Sequence, residues 1–264
     1  MIEFTNQLNT IRFPTHRCFN LYTSSWGSAP PQDIVQLLDS VVLDFYSNLD
    51  IDKITVLPVY VKNTLESETT RIFPERIKLS DHVIIFLTSQ DLSWCQYSYQ
   101  FAHELCHHVI DIDFPPKNDK FGWLEESICE LASLYTLKKM SFTWRTNPPY
   151  TNWANYSVSI NNYVHEILSD PKHKLEIPFC EWLNNILLEL YSDRCKRTEN
   201  KIIAMRLLTF FTRTPELWET IQYLRKIIVT DEMTLTQYLL EWKNVIPSTL
   251  QSEFDNIINI FINN

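Results

Sequence analysis

The stretch Phe101-Ala-His-Glu-Leu-Cys-His-His-Val-Ile110 decides how the rest of the chain is read. Residues four apart on an α-helix lie one above the other, so His103 and His107 present two imidazoles to one point, with Glu104 on their flank. Two neutral imidazoles and an oxygen donor suit zinc, and an open fourth position would hold a water whose proton Glu104 can take. The pattern points to a zinc-dependent hydrolase, above all a peptidase. In a chain with 7 His a chance His-Glu-x-x-His arises in roughly one such sequence in a hundred, so the context has to carry the reading. Trp94 to Asp111 contains no Pro or Gly, and Ala102, Leu105, Cys106 and Val109 share one helical face. The His pair lies roughly a hundred degrees round from that face.

A third protein ligand is expected from Gly122-Trp-Leu-Glu-Glu-Ser-Ile-Cys-Glu-Leu-Ala-Ser-Leu-Tyr135, which reads as a second helix. Glu126 and Glu130 share a face, while Leu124, Ile128, Leu131 and Tyr135 form a separate apolar stripe. One of these two carboxylates would bind the metal while the other steadies a ligating histidine, and the same helix also carries Glu125. Between the helices, Pro115-Pro116 and Gly122 are expected to turn the second helix back against the first.

His103-Glu104-x-x-His107 followed by Trp123-Leu124-x-Glu126-Ser127-x-x-Glu130 resembles the gluzincin branch of the zincin metallopeptidases, especially its minimal, ImmA/IrrE-like forms. The resemblance covers about Asp81 to Met140. It implies that His103, His107 and Glu126 are the zinc ligands, that Glu104 is the general base and that Glu130 supports a ligand from behind. Ser127 and Glu130 depart from the family pattern, and Glu125 stays an alternative to Glu126. No third His follows at the extended metzincin spacing. The resemblance further suggests a narrow intracellular protein target.

The wider composition is compatible with this reading. Hydrophobic content of 45%, 13% aromatics and only 2 Gly describe a globular chain with much regular structure. A formal net charge of -9 argues against nucleic acid or an anionic membrane as partner, since phosphate binding needs clustered Lys and Arg. The short basic run Arg194-Cys-Lys-Arg197 reads as a solvated face. There is no secretion signal and no apolar stretch of membrane-spanning length. The 6 Cys form no C-x-x-C pair, so a soluble cytoplasmic protein with reduced thiols is expected. Cys106 and Cys129 read as small buried residues and not as ligands, Cys106 because it falls off the His stripe.

In chain order, Cys18 to Thr23 reads as a strand and Asp33 to Asn48 as a packing helix after Pro30-Pro31. Ile54 to Val61 reads as a strand whose Pro58 argues for an edge or a bulge. Arg76 to Leu79 and His82 to Leu87 complete the strand set. Beyond Met140, Trp144 to Trp153 reads as an irregular connection. Helical patterns follow near Val158–Leu168, Phe179–Ser192, Lys201–Thr212, Pro215–Val229, Leu235–Val245 and Leu250–Phe261. The expected fold is α+β. A small antiparallel zincin-type sheet packs on the metal-binding helices in a catalytic domain, residues 1–145, and a helical domain, residues 146–264, closes a cleft against it.

Hydrolysis needs a donor for the oxyanion, and Tyr150, Tyr156, Tyr163 and His165 are the candidates. His108 points to another face and is expected partly exposed or behind a ligand. The reading is an endopeptidase acting on a protein or peptide substrate. The alternative is a zinc-binding regulator or pseudoprotease that acts by binding a partner.

Overall fold

The computed structural model describes residues 9–49, 57–67, 69–111 and 120–262. Five strands form one mixed sheet: β1 (Thr10–Arg12), β2 (Phe19–Tyr22), β3 (Val59–Asn63), β4 (Glu75–Lys78) and β5 (Val83–Leu87), in the order β1-β2-β3-β5-β4. The expected antiparallel sheet is corrected here, because β2 pairs β3 and β3 pairs β5 in parallel, and only the outer pairs are antiparallel. The cause lies between the strands. Helix α1 (Pro31–Tyr46) carries the chain back across the sheet from β2, so β3 starts from the same end. Pro58 precedes β3, and β3 lies in the sheet interior, so the edge position inferred from Pro58 is also corrected. The first part of that strand call, residues 54–56, lies outside the described residues.

One face of the sheet is covered by α1 and by α2 (Trp94–Ile110), whose stripe of Phe101, Ala102, Leu105, Cys106 and Val109 is fully buried. Helix α3 (Gly122–Thr143) packs on α2 and is the central helix of the molecule. From Gly122 to Leu137 it is buried on all sides except at Glu126, which is half-buried. A helix enclosed on nearly every side needs a second wall beside α2, and here that wall is the helical half.

That half consists of α4 (Tyr156–Ser169), α5 (Phe179–Ser192), α6 (Arg197–Arg213), α7 (Leu235–Val245) and α8 (Gln251–Ile262), with a 3-10 segment at Pro215–Lys226 in place of the expected helix to Val229. α6 and α4 pack directly on α3, and one apolar core runs from the sheet through α3 into these helices. The turn expected at Pro115-Pro116 lies outside the described residues. No described helix is long and apolar enough to cross a membrane.

Candidate metal centre

α2 and α3 run past each other in opposite directions, so successive turns of one meet successive turns of the other. Ser133 Oγ donates to the Tyr99 carbonyl at 2.8 Å, the Tyr99 hydroxyl donates to Glu130, and His103 faces Glu126. The imidazoles of His103 and His107 lie side by side, with ring centres 5.1 Å apart. His103 Nε2 is 3.3 Å from Glu126 Oε2, and His107 Nε2 is 3.6 Å from Glu126 Oε1. His107 Nδ1 is 2.8 Å from Glu125 Oε1. An ionised carboxylate only accepts, so Glu125 takes the proton on Nδ1, and the Nε2 position, which faces Glu126, is the one a metal ion would take in place of a proton. The two acids thus divide the tasks: Glu125 orients a histidine from behind, and Glu126 faces both rings.

The donors fit a divalent ion. Nitrogen and oxygen donors about 2.0–2.1 Å from zinc in a tetrahedron stand ~3.3 Å from one another. The 3.3 and 3.6 Å separations are of that size, one to each oxygen of Glu126, so the carboxylate faces the two rings with its two oxygens. A further donor is present that the sequence reading had set aside. One ligand atom each from His103, His107 and Cys129 lie within 4.8 Å of one another.

Electrostatics hold Glu125 and Glu126 ionised, whereas His107 and Cys129 keep protons that an entering metal ion would displace. Burial would raise Glu126, but its contacts with His103 and His107 outweigh that and hold its carboxyl far below the usual range. Burial likewise opposes the ionised form of Glu125, and His107, Arg225 and Arg194 overcome it. For His107, burial favours the neutral ring, while Cys129, Glu125 and Glu126 hold its pKa well above the ordinary value. Burial raises Glu104, which is 4% exposed, against the pull of His103 and His107. Its carboxylate has no hydrogen bond among the described residues. Burial pushes the thiol of Cys129 well up, aided by the Cys106 thiol beside it.

Behind the site runs a chain of buried ion pairs. Glu125 Oε2 meets Arg225 Nη2 at 2.7 Å, Arg225 Nε meets Asp111 Oδ1 at 2.7 Å, and Asp111 Oδ2 meets Arg76 Nη1 at 2.8 Å. Asp111 caps the end of α2, and Lys78 Nζ donates to its carbonyl at 2.7 Å. Strand β4, α2, α3 and the 3-10 segment are thereby tied together at His107 and Glu125.

Several expectations are corrected by this arrangement. Glu130 supports no histidine; it pairs with Tyr99 and, at 3.8 Å, with Lys201, and burial raises it to about 7. His108 is buried against Phe19 and not partly exposed, since the step from His107 turns it onto the sheet, and burial lowers it to about 3. Arg194 is no solvated cation: its Nε and Nη2 donate to Glu126 Oε1 at 3.0 and 2.8 Å. Lys196, in contrast, pairs with Glu189 outside the site.

The four oxyanion candidates lie elsewhere. Tyr150 packs on Trp153, the Tyr156 hydroxyl is 3.5 Å from Cys95 Sγ, Tyr163 meets the Tyr99 ring, and His165 is exposed. Tyr99 was findable, because it precedes His103 by the same four-residue step that links His103 to His107. Nothing local announces Arg194, which lies 68 residues from Glu126. Compared with family models, curated proteins and solved structures, the chain matches none.

Proposed function

We propose that the chain is a zinc-dependent metallopeptidase hydrolysing peptide bonds of an intracellular protein target, with His103, His107 and Glu126 holding the ion and Glu104 as general base. The observation that supports this most is the pair of separations from Glu126 to the two imidazoles, 3.3 and 3.6 Å, contributed by two facing helices. Zinc held there would polarise the scissile carbonyl and lower the pKa of a water. Glu104 takes the proton of the attacking water and passes it to the leaving amine, a task suited to a carboxylate whose pKa burial has raised. Arg194, already beside Glu126, is assigned to the developing oxyanion in place of Tyr150, Tyr156, Tyr163 and His165.

For the substrate backbone we assign the open edge of β4, the outer strand that packs on α2 and sends Arg76 and Lys78 to Asp111. No disulfide joins the 6 Cys, all of them described, which is compatible with a cytoplasmic setting.

The deciding experiment is Glu104→Gln. The variant should keep its zinc, measured by metal analysis, and lose at least ~100-fold in turnover of a proteome-derived peptide mixture read by mass spectrometry. Cleavage at the wild-type rate removes the mechanism. A zinc-binding regulator that cuts nothing is the second reading, favoured by Cys129, since a fourth protein donor would fill the vertex that water needs. Wild-type protein that holds zinc and leaves every peptide intact selects it.

A further inference from the structure

We infer that Cys129 is itself a metal ligand, so that at rest the ion is enclosed by His103, His107, Glu126 and the Cys129 sulfur with no vertex left for water. The inference rests on the zinc reading above and adds a latent state to it. Two observations carry it. On α3, Cys129 follows Glu126 by three residues, which puts both side chains on the face turned to the His pair. Ligand atoms of His103, His107 and Cys129 lie within 4.8 Å of one another, a spacing that small movements bring to tetrahedral contact.

When the ion enters, the S–H bond breaks, its proton leaves to solvent, and the sulfur lone pair forms the bond to the metal with no change of oxidation state. Thiolate also biases the site toward zinc over magnesium or calcium, which take oxygen donors. Water gains access only when the sulfur or Glu126 lets go, so hydrolysis is held back until a substrate or partner displaces one of them.

Cobalt(II) chloride added to the full chain, purified without metal, tests this by absorption spectroscopy. A thiolate-to-cobalt charge-transfer band in the wild type, kept in Cys106→Ala and lost in Cys129→Ala, is the expected result. Cobalt bound without that band, or a band that survives in Cys129→Ala, overturns the inference and leaves the hydrolase reading standing. Failure of the wild type to bind cobalt or zinc overturns both. If Cys129→Ala does not fold, X-ray absorption at the zinc edge of the wild type and of Cys106→Ala decides. One sulfur at about 2.3 Å in both supports the inference, and a shell of nitrogen and oxygen alone at about 2.0–2.1 Å overturns it.

Discussion

Helix α3 meets a buried carboxylate corner at each end, and the two corners are built in opposite ways. At its start, Glu125 and Glu126 are held ionised by two imidazoles and by Arg194 and Arg225. At its far end, Asp44 of α1 accepts from Thr143 Oγ1 at 2.8 Å with half-buried Lys139 nearby, and burial pushes its pKa up to about 6. Packing alone is satisfied at the second corner by one hydroxyl and a carboxyl whose pKa burial raises. Nothing in packing calls for the first, where three carboxylates and two guanidiniums surround a pair of histidines. Dense buried charge is costly and gathers where chemistry needs it.

The comparison can be broken most forcefully at Arg225. Arg225→Met should cost about 3–5 kcal/mol in urea unfolding, because Glu125 and Asp111 lose the guanidinium that joins them. A loss below about 1 kcal/mol would mean that Arg194 and Arg76 suffice and that the first corner is no more demanding than the second.

The Asp44 corner sharpens the contrast through pH. Asp44 has a folded-state pKa of about 6 against an ordinary 3.8, so its contribution to stability is complete below about pH 4 and is lost as pH rises through 6. Asp44→Asn cannot titrate. The stability of Asp44→Asn relative to wild type should therefore increase by up to about 3 kcal/mol between pH 4 and pH 7. A difference that stays flat across this range would show that burial does not shift Asp44 on folding.

The smallest expected effect is on metal affinity. Glu125→Gln keeps an acceptor for His107 Nδ1 but removes the charge behind it, and zinc should bind about 10–100-fold more weakly in a chelator competition. Unchanged affinity would make Glu125 part of the ion-pair chain only, with no influence on the histidine.

Much of the architecture was legible because it is local. The bounds of α5 and α7 and the packing helix α1 follow from apolar residues recurring at helical spacing. The parallel strands were legible too, in the order strand, helix, strand around α1, but the zincin resemblance argued for an antiparallel sheet and that expectation won. The helical reading of Pro215 to Val229 ran too far, because the same apolar pattern also suits the tighter 3-10 geometry that the chain takes as far as Lys226.

By itself the sequence determined the paired imidazoles, the acid on their flank and the acids of the next helix, since a helix converts spacing along the chain directly into direction in space. Only the tertiary structure decided which acid meets which ring, that Arg194 and Arg225 come from far along the chain to neutralise them, and that Cys129 turns toward the histidines. Those pairings depend on how α2, α3 and the helical half are set against one another, and no periodicity within a single segment encodes that.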